Sequence, residues 1–323
     1  MSWSTRRGGG QQIRGLCVGL SAGLFAACIP DAQDPPVLPE GVEAISLLGD
    51  TLYRTELPPD RLAETTEQLG SARADYEANP DGADAIIWLG RRTAYLGRYR
   101  DAIDIFTEGI EKHPDDPRMY RHRGHRFIST RQFDRAVDDL QRAAELIAGT
   151  EDEIEPDGQP NARNTPTSTT QSNIWYHLGL ALYLQGDFQG ALGVYRQCME
   201  VSGNPDMLVA TSHWLYMTLR RLEVDDGAGT VLEPIHADLD VIENGGYHRL
   251  LLMYKGELTP ESLLDQSEDA LGNATVGYGI GNWHLYEGRA EEAESVFRRV
   301  LETDQWAAFG YIASEAELAR LGG

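Results

Sequence analysis

The chain has 323 residues, of which 51 are acidic and 28 are Lys or Arg, and its formal net charge is −23 at pH 7. A surface this acidic argues against general nucleic-acid binding and against a protein that lies flat on anionic lipid. With 41% apolar residues and only three cysteines, the chain is expected to depend on a packed core rather than on disulfides.

The N-terminus has the three-part layout of a secretory signal. Three arginines precede an apolar run from Leu16 to Ala27, which is too short to span a membrane. The run ends in Leu24, Phe25, Ala26, Ala27 and Cys28. This ending resembles the bacterial lipoprotein signal, in which the cysteine is acylated and becomes the mature N-terminus.

The resemblance implies a signal peptide at residues 1–27 and lipidation at Cys28. We therefore expect an exported protein of the cell envelope, anchored by lipid to a membrane and facing the periplasm or the exterior. An ordinary cleaved signal peptide, with a fortuitous cysteine, is the alternative. Residues 28–58 are rich in proline and predict a semi-rigid tether, which leaves residues 59–323 for the folded domain.

A pattern of small and aromatic residues recurs along the folded part at a spacing of 34 residues. Ala102 and Phe106 in the first unit return as Ala136 and Leu140 in the second. This spacing is the length of a helix-turn-helix unit, which cannot bury its own apolar face and must stack on a neighbour. Clear units are predicted at about 83–116, 117–150 and 172–205.

The order and spacing of these residues resemble the tetratricopeptide repeat. The resemblance implies an all-α fold, a right-handed α-solenoid of helix-turn-helix repeats with a C-terminal capping helix. Gly90, Gly124 and Gly179 would allow the two helices of a unit to approach closely. Gly97 and Gly186 fit the tight turn between the helices, because glycine adopts a left-handed conformation without a side-chain penalty.

The repeat pattern weakens towards the C-terminus. Residues 206–273 predict degenerate helical units, residues 274–305 a final repeat, and residues 306–321 a closing helix over the exposed apolar end.

In the geometry that the resemblance implies, the first helix of each unit lines a concave groove. The predicted lining residues are Trp88, Arg91, Tyr95, Arg118, Arg121, His122, His125, Asn173, Tyr176, His177 and Trp214. Guanidinium groups pair with carboxylates, and aromatic faces hold apolar side chains. The groove is therefore predicted to bind a protein or peptide with acidic or carboxylate groups. The alternative is a solvated helix face, whose arginines balance acids such as Asp115 and Asp116.

A long polar segment, residues 149–171, separates the second and third units. Prolines interrupt it, and a loop of this length inside a helical array is either functional or disordered. If it is ordered, it could fold over the groove, because it enters beside the arginine-rich helix.

The pattern as a whole indicates a membrane-anchored interaction scaffold of the bacterial cell envelope, with no enzymatic activity, no cofactor and no metal. The alternative is an envelope enzyme, or a small-ligand or metal-binding protein, that uses His122, His125 and His177 with loop 149–171 as a lid. A purely architectural spacer is the third hypothesis.

Overall fold

The computed structural model describes residues 38–264 and 270–322. The predicted signal peptide, Cys28 and the tether as far as residue 37 lie outside the described residues. None of the described helices combines the length and the apolar character that a bilayer crossing requires.

The described residues form fourteen α-helices and two short β-strands, so the predicted all-α solenoid fold is confirmed. The helices are α1 Pro59–Ala78, α2 Ala83–Tyr95, α3 Tyr99–Lys112, α4 Pro117–Ser129, α5 Phe133–Leu146, α6 Thr170–Gln185, α7 Phe188–Glu200, α8 Pro205–Arg221, α9 Asp225–Leu232, α10 Gly245–Tyr254, α11 Pro260–Leu264, α12 Ala270–Tyr286, α13 Ala290–Leu301 and α14 Phe309–Leu321. Each helix from α1 to α8 packs against the next one along the chain.

Close packing within a repeat depends on glycine at one position of the first helix. A methyl group added at Gly90 would lie 2.5 Å from the Phe106 ring, and one added at Gly124 would lie 2.7 Å from Leu140 Cγ. At Gly179 the same addition would meet Tyr195 at 2.7 Å. Any larger side chain would separate the helices, so the predicted role of these glycines is confirmed.

The turns between paired helices adopt the predicted left-handed conformation. Gly97 has φ 72° and Gly186 has φ 85°. In the second repeat the equivalent position is Arg131, with φ 62°. A non-glycine residue is strained there, and Arg131 is held by a buried ion pair with Glu315 on α14.

The segment assigned to the tether is partly folded. Strands β1, Val42–Ile45, and β2, Thr51–Tyr53, form an antiparallel hairpin in which Ala44 lies opposite Leu52. Both side chains are buried against Trp306, whose indole N–H donates to the Tyr53 carbonyl at 2.8 Å. The tether prediction to residue 58 is therefore corrected, because this hairpin covers apolar surface near the C-terminal helix.

The C-terminal helix does more than close the end of the array. As predicted for a cap, α14 packs on α12 and α13, but it also contacts α6, much earlier in the chain. Its residues Glu315 and Glu317 are buried, at 0% and 1% exposure, and form ion pairs with Arg131 and Arg221.

Candidate functional site

Helices α2, α4 and α6 bring most of the predicted groove residues to one face. Arg91 and Tyr95 are four residues apart on α2 and therefore share a face of that helix. Helix α4, which carries His122, contacts α2. Of the adjoining cavities at this face, two are lined by most of the predicted residues. The arginine cavity, of about 110 Å³, is lined by Arg91, Ala94, Tyr95, Phe106, Arg121, His122, His125, Arg126 and Glu155. The aromatic cavity, of about 340 Å³, is lined among others by Arg121, His125, Asn173, Tyr176, His177, Tyr247 and Phe309.

Two of the predicted groove residues are not available to a partner: Arg118 is already paired with acids of the chain, and Trp214 lies in the core. Arg118 is ion-paired with Asp116 at 2.6 Å and with Asp84 at 2.7 Å, which matches the alternative of a balanced helix face. Trp214 is only 1% exposed and belongs to the core. It reaches the site only through its indole N–H, which donates to Tyr176 Oη at 2.8 Å. Trp88 lies at the margin, with the Arg91 guanidinium 4.4 Å from its ring.

The long polar segment is ordered and covers this face. We call residues 150–169 the insert loop. Its base is closed by the Thr170 N–H, which donates to the Glu153 carbonyl at 2.8 Å, and by a bridge between Ile154 and Thr169. Thr169 also caps α6, since its hydroxyl accepts from the Ser172 N–H. The non-helical segment therefore ends at residue 169 rather than 171.

The acidic part of the insert loop occupies the place predicted for a partner's carboxylate. Glu155 Oε2 lies 3.1 Å from Arg121 Nε and accepts from Asn173 Nδ2 at 3.0 Å. The two charged side chains are 10% and 9% exposed. Three residues after Glu155, the Gly158 carbonyl accepts a hydrogen bond from Arg92 Nη1 at 2.7 Å. A methyl group at Gly158 would overlap Tyr95 Oη, so the loop backbone lies directly on the helix face.

The far end of the insert loop is held by exposed groups from the segment before α10. Glu243 accepts from Asn161 Nδ2 and from the Thr167 hydroxyl, each at 2.6 Å. Arg163 pairs with Asp240 at 2.8 Å, with side chains 52% and 73% exposed. An ion pair this exposed contributes about 0–1 kcal/mol. The buried Glu155 contact is therefore the principal electrostatic anchor of the loop.

The imidazoles of the site are neutral. Burial lowers the pKa of His122, His125 and His177 well below the ordinary value, and the nearby Arg121 and Arg126 guanidinium groups lower it further. His177 Nδ1 lies 2.6 Å from the Asn173 carbonyl, and a neutral ring must donate there. Its Nε2 is then a lone-pair acceptor. The His125 and His177 rings are 4.3 Å apart.

This arrangement does not favour the alternative of a three-histidine metal site. His122 stacks on Phe106 with ring centroids 5.4 Å apart, and its Nδ1 lies 2.9 Å from Arg121 Nη1. Within residues 38–264 and 270–322, no group of three or more His, Cys, Asp or Glu side chains is placed to hold a metal ion.

Several site residues were not predicted from the sequence. Arg126 carries a signal, since it follows His122 by four residues on the same helix and so shares its face. Glu155 carries no signal that distinguishes it from the neighbouring acids of the long polar segment. Tyr247 and Phe309 carry no local signal, because only the fold brings α10 and α14 to α6.

Comparisons with known proteins agree with the repeat pattern. Two family models, both described as tetratricopeptide repeat, match residues 89–151 and residues 176–203. The chain contains tetratricopeptide repeats. The matched stretches hold α3, α4, α5, α7 and parts of α2 and α6, and thus the helices that carry the arginine cavity.

Among curated proteins, this repeat protein is similar to the BBSome complex member BBS4 of Bos taurus. The two are 24% identical over 141 residues, which is 44% of this chain. The alignment spans only 23% of that relative's length.

The chain is also similar to solved structures, two of which are described as tetratricopeptide repeat proteins. YrrB, described as a TPR protein with an unusual peptide-binding site, has a TM-score of 0.41 at 14% identity, over 76% of this chain and 97% of that one. A tetratricopeptide repeat protein from Parabacteroides merdae has a TM-score of 0.48 at 14% identity, over 80% and 93% of the two chains. Yeast Tom70 has a TM-score of 0.37 at 13% identity, over 83% and 61%.

Proposed function

We propose that this protein is an interaction scaffold of the bacterial cell envelope, which binds an acidic protein segment on the face formed by α2, α4 and α6. One observation carries the proposal: an acidic segment of the chain itself, around Glu155, lies across that face. Tetratricopeptide repeat proteins mediate protein-protein interaction, and a partner segment would exchange with the insert loop.

The contacts of Glu155 are those that an incoming carboxylate needs. A guanidinium and a side-chain amide converge on one oxygen, and both belong to rigid helices rather than to loops. The Gly158 carbonyl adds a backbone contact with Arg92, which any extended peptide can reproduce. The face therefore recognises an extended chain with a carboxylate near a backbone carbonyl.

The insert loop can be removed for a direct test because its ends lie together. Gln171 Nε2 donates to the Thr150 carbonyl at 3.0 Å, and the Glu153 carbonyl accepts from the Thr170 N–H. Replacing residues 155–167 by two glycines should leave the cap of α6 intact. The intact chain should bind an added loop peptide far more weakly than this variant, because its own loop competes at about millimolar effective concentration.

A synthetic peptide of residues 151–169 should bind the shortened variant, measured by fluorescence anisotropy. The same peptide with Glu155→Gln should bind at least about tenfold more weakly, because a charge-assisted contact is lost. Glu151→Gln is the matched control, since Glu151 is exposed and should not change the affinity. Equal binding of all three peptides, or no binding to a variant that is folded by circular dichroism, would contradict the proposal.

We further propose that the mature chain is anchored through lipid on Cys28. The support is the sequence pattern around this cysteine and its apolar run. In bacterial cells, Cys28→Ser should move the protein from the membrane fraction to the aqueous phase of a detergent partition. Cys17→Ser is the control and should stay with the membrane, because residue 17 lies inside the predicted signal. Identical partition of the two variants would reject the anchor.

A further inference from the structure

The arginine cavity holds more positive than negative charge. Arg91 and Arg121 are 9% and 7% exposed, and Arg126 lines the same cavity. Among the ion pairs of the described residues, only Glu155 joins any of these three arginines to a carboxylate, and it pairs with Arg121. In the lining of this cavity three guanidinium groups thus face one carboxylate. Asp157 and Glu243 lie with Arg91 and Arg121 around an adjoining cavity of about 160 Å³.

The guanidinium groups also have unused donors. Arg121 Nε is buried and, within the part of the chain that the structure describes, makes no hydrogen bond of acceptable angle, although Glu155 Oε2 lies 3.1 Å away. The Arg126 guanidinium lies 5.1 Å from the Tyr99 ring and has no hydrogen bond to a described residue. The polar contacts of Arg91 are to Tyr95 Oη at 3.3 Å. A buried donor such as Arg121 Nε is normally satisfied, so its lack of a well-aligned acceptor needs an explanation.

We propose that the arginine cavity binds a phosphate group. A phosphate dianion adds negative charge to a lining in which three guanidinium groups face one carboxylate, and its oxygens accept hydrogen bonds from several guanidinium donors at once. The cavity volume of about 110 Å³ is large enough for an ion of this size. Glu155, whose place the proposed function gives to a partner's carboxylate, lines the same cavity and pairs with Arg121 at its edge.

The phosphate group has two possible sources, inorganic phosphate or the phosphoryl end of a larger molecule. The arginine cavity and the aromatic cavity share Arg121 and His125 in their linings. A phosphate ester would therefore place its phosphoryl group among the arginines and its body beside Tyr176, Tyr247 and Phe309.

Thermal unfolding of the full chain tests the proposal. At about pH 8, where phosphate is a dianion, inorganic phosphate should raise the unfolding temperature in a saturable way, and sodium chloride of equal ionic strength should not. Arg126→Gln should weaken phosphate binding at least about tenfold. Glu155→Gln should strengthen it, because the competing negative charge is gone. The control is Arg142→Gln on α5, whose side chain is exposed and should not matter.

The absence of a phosphate-specific effect on the wild-type chain would overturn the proposal. An unchanged affinity in a folded Arg126→Gln variant would overturn it as well, and Arg91→Gln provides the same test if that variant does not fold. Tighter binding of phenyl phosphate than of inorganic phosphate would assign the site to an ester, and the reverse order to the free ion. Since no loop peptide is used, this outcome is independent of the test of the proposed function.

Discussion

Replacing Arg131 by alanine should lower the free energy of unfolding by about 3–5 kcal/mol, because it leaves a buried carboxylate without its partner. Arg131 Nη2 lies 2.6 Å from Glu315 Oε2, and the two side chains are 3% and 1% exposed. The same guanidinium donates to the Trp306 carbonyl at 2.8 Å and to the Ser129 carbonyl at 2.6 Å. Glu315 also accepts from the Leu47 N–H. This single ion pair therefore connects the second repeat, the N-terminal hairpin region and α14.

Urea unfolding monitored by circular dichroism measures the loss. Arg298→Ala is the matched control, because Arg298 and Glu294 form an exposed i, i+4 pair on α13 and such pairs contribute little. Arg131→Gly should lose less than Arg131→Ala, since glycine accepts the left-handed φ of 62°. A loss in Arg131→Ala no larger than in Arg298→Ala would show that the pair does not stabilise the fold.

Acid should destabilise the protein through buried neutral histidines, and His213 gives the clearest case. Burial lowers the pKa of His213 to about 3, and its ring stacks on Tyr247 with centroids 4.6 Å apart. Neither ring nitrogen has a hydrogen-bond partner among the described residues. In the unfolded chain histidine titrates near pH 6.5, so below that pH protons bind the unfolded state preferentially.

The stabilising contribution of neutral His213 is thus complete above about pH 6.5 and is lost at about 1.4 kcal/mol per unit as the pH falls towards 3. Between about pH 7.5 and about pH 5, the wild-type chain should lose about 2 kcal/mol from this residue alone. The lowered pKa values of His122, His125 and His177 act in the same direction.

Urea unfolding at the two pH values measures this effect. His213→Leu should remove about 2 kcal/mol of the difference, because leucine binds no proton in either state. His236→Leu is the control, since His236 is exposed. If His213→Leu retained the full pH dependence of the wild type, the histidine would not be the cause.

The fold was predictable because its main contacts repeat at short range. Gly90 packs against Phe106, and Gly124 packs against Leu140, each pair within one repeat. Because every repeat needs a small residue opposite a large one at this position, the requirement appears in the sequence as a periodic pattern. The same repeat spacing predicts that Arg91, Arg121 and His177 lie on one face, because the first helices of successive repeats stack side by side.

The residue that covers that face, Glu155 of the insert loop, was not predictable in the same way. The sequence suggested that the long loop could cover the groove, but it did not single out Glu155 among the neighbouring acids. The choice depends on which carboxylate the loop places beside Arg121 and Asn173. Likewise, the segment around residues 42–53 resembled a tether, and its strands are stabilised by burial against Trp306, from the other end of the chain.

The repeats, their paired helices and the basic, aromatic character of the first-helix face could therefore be predicted from the sequence alone, because these features rest on contacts between residues close in the chain. The three-dimensional structure was needed to show that Glu155 neutralises Arg121, that Trp214 belongs to the core, and that Glu315 on α14 pairs with Arg131. Those contacts join residues far apart in the chain or in the loop between two repeats, so no local period in the sequence indicates them.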